Sequence, residues 1–325
     1  MDQIINIFTA LSGLYVITYL IDSLFETPKD LKTLKFNKLR HLDAYNIIDN
    51  FATQDTLSNS NIDNIDEILE KLSYPNELKE IIIIFKNYIE PINFETCIGK
   101  LNNLKINYFD LIHDIKKYLQ NFCEIDGAYI PKDNTIDIYK FFDKNSVLSH
   151  EFLHMASTGK NQTSGFCTNL DDIWIGNGLD EGYTELLNER IFNSKHLSYT
   201  YNIEIIKILE IFFDNPKDME YAYFHNNIFI IYQTFLEYGT KEEFFSLLQV
   251  LDNLVETDIP IYKKVTAIKT KLNLYIILKR SQNKEKILAA EKILERDPLI
   301  KLLKSKNIIL ANKPKQKIKI KKIKK

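Results

Sequence analysis

Apolar positions recur every three to four residues along most of this chain, the period of helices with one buried face. Residues 4–21 are the first apolar run and hold no charge over eighteen positions. Ile62–Leu72 and Glu77–Ile89 carry the helical period on either side of Pro75, after a polar connection ending near Asn61. The pattern reads as helical to about residue 122. It then changes: Gly127–Tyr139 alternates around Pro131-Lys132-Asp133-Asn134, which predicts a β-hairpin. Helical spacing returns at Val147–Ala156, with Asp143 or Asn145 to cap its start and Gly159 to end it. A Gly-, Ser-, Thr- and Asn-rich loop, roughly 157–178, leads to a second helical pattern opening at Glu181. After Arg190 the chain reads as helical to about 308, with breaks near Asn215-Pro216, Gly239 and Asp258-Ile259-Pro260. Ile205–Phe213, Ile228–Leu236 and Phe244–Leu254 are expected to pack against one another.

The expected fold is therefore α+β and mostly helical. A small antiparallel sheet or hairpin precedes one functional helix, with helical regions before and after. The expected divisions are 1–122 (helical), 123–195 (core with the chemistry), 196–312 (helical) and 313–325 (basic tail).

Composition narrows the class. Hydrophobic residues at 45% and charged residues at 26% are globular values, and nine Gly with eight Pro suit a helical protein. Cys97, Cys123 and Cys167 are few, odd in number and far apart, so no disulfide framework is expected. No G-x-S-x-G or P-loop pattern supports serine or nucleotide chemistry. The tail from Lys313 holds eight Lys and no acid, and without it the net charge of −2 becomes −10. Its Lys-Ile alternation lacks base-stacking aromatics, so no specific nucleic-acid binding is expected. Residues 4–21 reach the lower edge of membrane-spanning length, but Asn6, Thr9, Ser12, Gly13 and Thr18 interrupt them. If they spanned, Lys29, Lys32, Lys35, Lys38 and Arg40 would keep the rest of the chain in the cytoplasm. The expected localisation is cytoplasmic: residues 4–21 read first as a buried helix, with membrane association through them, or contact through the Lys-rich tail, as the alternative.

The chemistry concentrates in two motifs. His150-Glu151-Phe152-Leu153-His154 places two imidazoles four residues apart, on one helix face, where they can share a metal ion. Glu151 between them can point at the site without being a ligand. The flanks Val147-Leu148-Ser149 and Met155-Ala156 are uncharged, as a half-buried helix requires. A continuation as H-E-x-x-H-x-x-G-x-x-H would need Gly at Ser157 and His at Lys160, so the metzincin pattern is excluded. The second motif, Leu179-Asp180-Glu181-Gly182-Tyr183-Thr184-Glu185, begins 25 residues after His154.

Together the motifs resemble the gluzincins, zinc peptidases whose ligands are two His and one Glu, over about residues 125–190. The resemblance implies that His150, His154 and Glu181 hold one Zn2+ per chain and that Glu185 hydrogen-bonds a ligand, His150. Asp180 stands where Asn is common. The reaction implied is peptide hydrolysis: three protein ligands leave one position open for a water, and Glu151 takes its proton. The expected partner is a peptide or protein substrate, which the hairpin edge could pair with as an added strand. Tyr183, Tyr221, Tyr223 and His225 are candidate oxyanion or substrate donors. Phe166, Cys167 and Trp174 lie in the loop expected to pass near the site. The alternative reading is a zinc-binding regulatory or interaction protein with a peptidase-like fold and no turnover.

Overall fold

A computed structural model describes residues 75–301, apart from 102, 110–125, 140–143, 171–172, 195–198, 257–259 and 299. The expected helix Ile62–Leu72, the apolar run 4–21 and the tail 313–325 lie outside the described residues.

Pro75 sets the entry of helix α1 (Asn76–Tyr88), which buries Leu78, Ile81, Ile82 and Phe85 at i, i+3, i+4 and i+7. Helix α2 (Pro91–Leu101) follows at once and adds Phe94, Cys97, Ile98 and Leu101 to the same core. Strand β1 (Lys105–Tyr108) comes next, where the pattern was expected to stay helical. Four residues are too few to establish either period, and pairing with the hairpin decides the outcome. The hairpin itself is present: β2 (Gly127–Ile130) pairs antiparallel with β3 (Thr135–Ile138) across a 3-10 turn at Pro131–Asp133. β1 joins β3 in parallel, Ile106 opposite Ile136, so the sheet is three-stranded and mixed, ordered β1-β3-β2. Among the described residues, β1 and β2 are its edges.

Helix α3 (Lys144–Ser157) carries the first motif and helix α4 (Asn177–Phe192) the second. The loop between them contains an unexpected antiparallel pair, β4 (Thr168–Leu170) with β5 (Ile173–Ile175). Helices α5 (Thr200–Leu209), α6 (Pro216–Phe224), α7 (Ile228–Leu236), α8 (Lys241–Glu256), α9 (Pro260–Arg280) and α10 (Lys284–Leu294) complete the mostly helical α+β fold. Their breaks follow local chemistry. Pro216 starts α6 with Asn215 accepting from Lys217 N at 3.0 Å, and Asn283 caps α10 by accepting from Lys286 N at 3.2 Å. One hydrophobic cluster runs from Leu78 to Ile300.

Helix α4 is the centre of this packing. Leu179, Tyr183, Leu186, Leu187 and Ile191 are buried, and so are Asp180, Thr184, Glu185 and Asn188. Distant residues fix both motif-bearing helices. Gly176 at the start of α4 offers no capping side chain, and Asp252 of α8 replaces it, accepting from Gly178 N at 2.7 Å and Gly176 N at 3.2 Å. At the other helix, Lys100 Nζ donates to the carbonyls of Met155, Ala156 and Thr158 at the C-terminal end of α3. Asn188 ties the helices together, accepting from Ser149 Oγ at 2.6 Å and donating to Ser146 O at 3.2 Å.

The close approach of α8 to α4 requires Gly178. A Cβ there would lie 2.1 Å from both the carbonyl carbon and oxygen of Leu251. Backbone cannot yield as a flexible side chain would. Gly178→Ala is expected to cost about 1–3 kcal/mol, read from urea denaturation. An unchanged denaturation midpoint would show that α8 does not seat on α4 in this way.

The expected membrane association is corrected. Among the described residues, no helix is long and apolar enough to cross a membrane. The longest helix, α9, carries Lys263, Lys264, Lys269, Lys271, Lys279 and Arg280. Residues 4–21 lie outside the described residues, so no described element supports an anchor.

Candidate metal centre

His150 and His154 project from one face of α3, rings 4.8 Å apart, toward Glu181 of α4. His150 Nε2 is 3.1 Å from His154 Nε2 and 3.2 Å from Glu181 Oε2. The third edge, His154 Nε2 to Glu181 Oε2, is 3.4 Å. Ligand atoms placed tetrahedrally at zinc's ordinary bond lengths lie about 3.3–3.4 Å apart. The cluster therefore has the dimensions of three corners of a metal tetrahedron.

The outward nitrogens show why these lone pairs converge. His150 Nδ1 meets Glu185 Oε2 at 2.7 Å. His154 Nδ1 faces Asp180 Oδ2 at 3.3 Å and Ser164 Oγ at 3.2 Å. Carboxylates accept, so each Nδ1 is assigned the proton and each neutral ring turns its Nε2 lone pair inward. Three acceptors so close repel one another unless a positive particle lies between them. The donor set, with His150 and His154 buried and Glu181 partly so, fits a metal ion on that ground.

The charges agree. Burial alone would push His154 down, but the Glu181 and Asp180 carboxylates outweigh it and hold the imidazole well above its usual range. Burial would likewise raise Glu181, yet His154 and His150 pull it far below the ordinary carboxylate range. Because that pKa is raised, a metal competes with a proton for His154. Proton release is expected on metal binding, with affinity weakening as pH falls. Calorimetry in two buffers of different ionisation enthalpy reads this directly, and zero proton release would refute the assignment.

The cluster floors a cavity of about 420 Å³. Glu151 lies beside the His pair, and its Oε2 accepts from Tyr129 N–H on the β2 edge at 2.8 Å. Burial raises its pKa, while the two imidazoles and that N–H oppose the rise. Gly127 permits this approach of strand to helix, since a Cβ would meet Val147 Cγ1 at 2.5 Å and Glu151 Cγ at 3.1 Å. Glu185, expected behind His150, is there. Cys167 and Trp174 of the loop line the cavity, as expected of its passage near the site. The Cys167 thiol is pushed up by burial and then by Asp180, so it is not a poised thiolate.

The structure does not bring the candidate donors Tyr183, Tyr223 and His225 to the cavity. Tyr183 follows Glu181 by two residues, about 200° around the helix, and faces the core. It packs on Phe166 and Tyr223 with ring centroids 5.4 and 5.3 Å away. Tyr223 pairs its hydroxyl with Thr184 Oγ1 at 2.6 Å. His225 stacks on Tyr221 and its Nδ1 meets Tyr221 O at 2.9 Å. Tyr199, which no sequence motif marks, lines the cavity instead. Its ring stacks on His150 at 6.2 Å, and the Glu181 carboxylate, then burial, holds its hydroxyl protonated far up the scale. Its backbone is left-handed, φ 54°, a conformation bulky residues rarely adopt and one that recurs at functional sites.

Asp180 has a role that the motif does not assign to it. Besides facing His154, its Oδ2 accepts from Ser164 Oγ at 2.8 Å and its Oδ1 from Phe166 N at 3.0 Å. Asp180 thus ties the loop's path to His154. Comparison with known proteins found no matching family model, no matching curated protein and no matching solved structure.

Proposed function

We propose that this protein is a zinc-dependent peptidase of gluzincin type. The observation that carries the reading is the convergence of His150, His154 and Glu181 beside Glu151, in a cavity bordered by β2, an edge strand among the described residues. A zinc ion at the cluster would supply Lewis acidity, activating a water and polarising the scissile carbonyl. Glu151 takes the attacking water's proton and passes it to the leaving amine. The Tyr129 N–H holds Glu151 in place for both transfers. The Tyr199 hydroxyl, protonated and beside the cluster, donates to the carbonyl oxygen as negative charge develops on it. Glu185 and Asp180 keep the two imidazoles in the tautomer that ligation needs. The substrate, a peptide or protein segment, lies extended along β2.

Purified protein is expected to hold about one zinc per chain and to cleave members of a peptide library. Chelation should abolish the cleavage and added zinc restore it. Full zinc occupancy with no cleavage of any peptide would exclude the peptidase reading and favour a zinc-binding interaction protein.

A further inference from the structure

Burial does little to hold strand β2. Its four residues are all only half-buried, while the four of β3 beside it are buried. Two of the four, Gly127 and Ala128, bring almost no side chain to pack. Yet β2 carries the Tyr129 N–H that holds Glu151, at 2.8 Å. A proton acceptor works only within hydrogen-bond reach of its water, and about 1 Å of misplacement can cost about 100-fold in rate. The strand therefore needs another source of rigidity.

A closed circuit of hydrogen bonds supplies it. The Tyr129 hydroxyl donates to Asn134 Oδ1 at 2.9 Å, across the hairpin turn. Asn134 Nδ2 donates in turn to Lys100 O, near the C-terminal end of α2, at 2.7 Å. Lys100 Nζ then reaches α3, donating to Met155 O at 2.9 Å and Ala156 O at 3.1 Å. Glu151 lies four residues before Met155, one turn back along the same helix. The circuit thus leaves α3 at Glu151, runs through β2, the turn and α2, and re-enters α3 one turn later. It contains none of the three residues of the metal-sized triangle. Asn134 is its junction. The backbone there is left-handed, φ 47°, which asparagine tolerates and glycine would satisfy equally. Its N–H donates to Pro131 O at 3.2 Å and its carbonyl accepts from Lys105 N at 3.0 Å. The turn needs only that backbone; the links to Tyr129 and Lys100 need the side chain.

We propose that Tyr129 and Asn134 are positioning residues for the proton transfer: their side chains fix Glu151 against the strand that receives the peptide, independently of the metal. This rests on the peptidase reading, and the test separates the two. Tyr129→Phe removes one hydroxyl, and Asn134→Gly keeps the left-handed turn while removing both side-chain bonds. Each zinc-loaded variant is expected to lose about tenfold in kcat, with KM and zinc affinity within about twofold of wild type. Because both break one path, the double variant should lose no more than the worse single. Chelator competition gives the zinc affinity, and steady-state kinetics give the split. A merely structural role would weaken zinc binding and raise KM along with the fall in kcat, and that result overturns the proposal. So do unchanged turnover in both variants and losses that multiply in the double variant. Hydrogen exchange serves as the readout that needs no turnover. Amides of residues 127–130 should exchange about tenfold faster in both variants, with those of α3 unchanged. If wild-type protein cleaves no peptide, the peptidase reading fails, and this exchange decides whether the circuit holds the strand: faster exchange at 127–130 alone supports it, and unchanged exchange overturns it.

Discussion

Glu151→Gln is expected to lower peptide hydrolysis by about 10²–10⁴-fold while leaving zinc content unchanged. The substitution is almost isosteric. A glutamine carbonyl oxygen can still accept from Tyr129 N–H, as Glu151 Oε2 does at 2.8 Å, so the side chain keeps its anchor. It is not among the three residues that form the metal-sized triangle. What it loses is the ability to take and return a proton. Burial raises the Glu151 pKa, which makes the carboxylate a better proton acceptor near neutral pH than an exposed one would be. The loss should therefore fall on kcat, with KM little changed. Metal analysis and steady-state kinetics on the same preparation check both halves. Near-wild-type turnover with zinc retained would show that another group moves the proton. Loss of zinc would show that Glu151 belongs to the ligand set.

Which residues of the site are legible in the sequence depends on the range of the interactions. His150 and His154, or Glu181 and Glu185, are one helical turn apart, and spacing alone puts each pair on one face. Joining the two helices needed the resemblance, because nothing local says that α3 and α4 meet. Asp180 departs from the common Asn, yet its carboxylate faces His154 Nδ1 at 3.3 Å. The same helical geometry speaks against Tyr183, two residues from Glu181, although its aromatic hydroxyl makes it a chemically plausible donor. Tyr199 has no local signal. It reaches the cavity because the chain turns left-handed there before α5, a tertiary constraint. Lys100 and Asp252 complete helices more than fifty residues away, which no periodicity reports. The short strands β1, β4 and β5 have three or four residues each, below the length at which alternation can be told from chance.

Glu181→Ala is expected to weaken zinc binding by more than about 100-fold, and Glu185→Ala and Asp180→Ala by about 10–100-fold each. The order comes from the geometry. Glu181 contributes one of the three converging atoms, 3.2 Å and 3.4 Å from the two Nε2 atoms, so its removal leaves a two-His site. Glu185 and Asp180 act through the outward nitrogens and remove no ligand. Without them the imidazoles can take the wrong tautomer or turn away. Asp180→Ala should have a further consequence that Glu185→Ala lacks. It also releases Ser164 Oγ and Phe166 N, so the loop before β4 should become more open to proteolysis even with zinc bound. Chelator competition gives the three affinities, and limited proteolysis of the zinc-saturated proteins gives the loop. If Glu181→Ala binds zinc as tightly as Glu185→Ala, then Glu181 is only a carboxylate favoured by the α4 N-terminus, and the third ligand lies elsewhere.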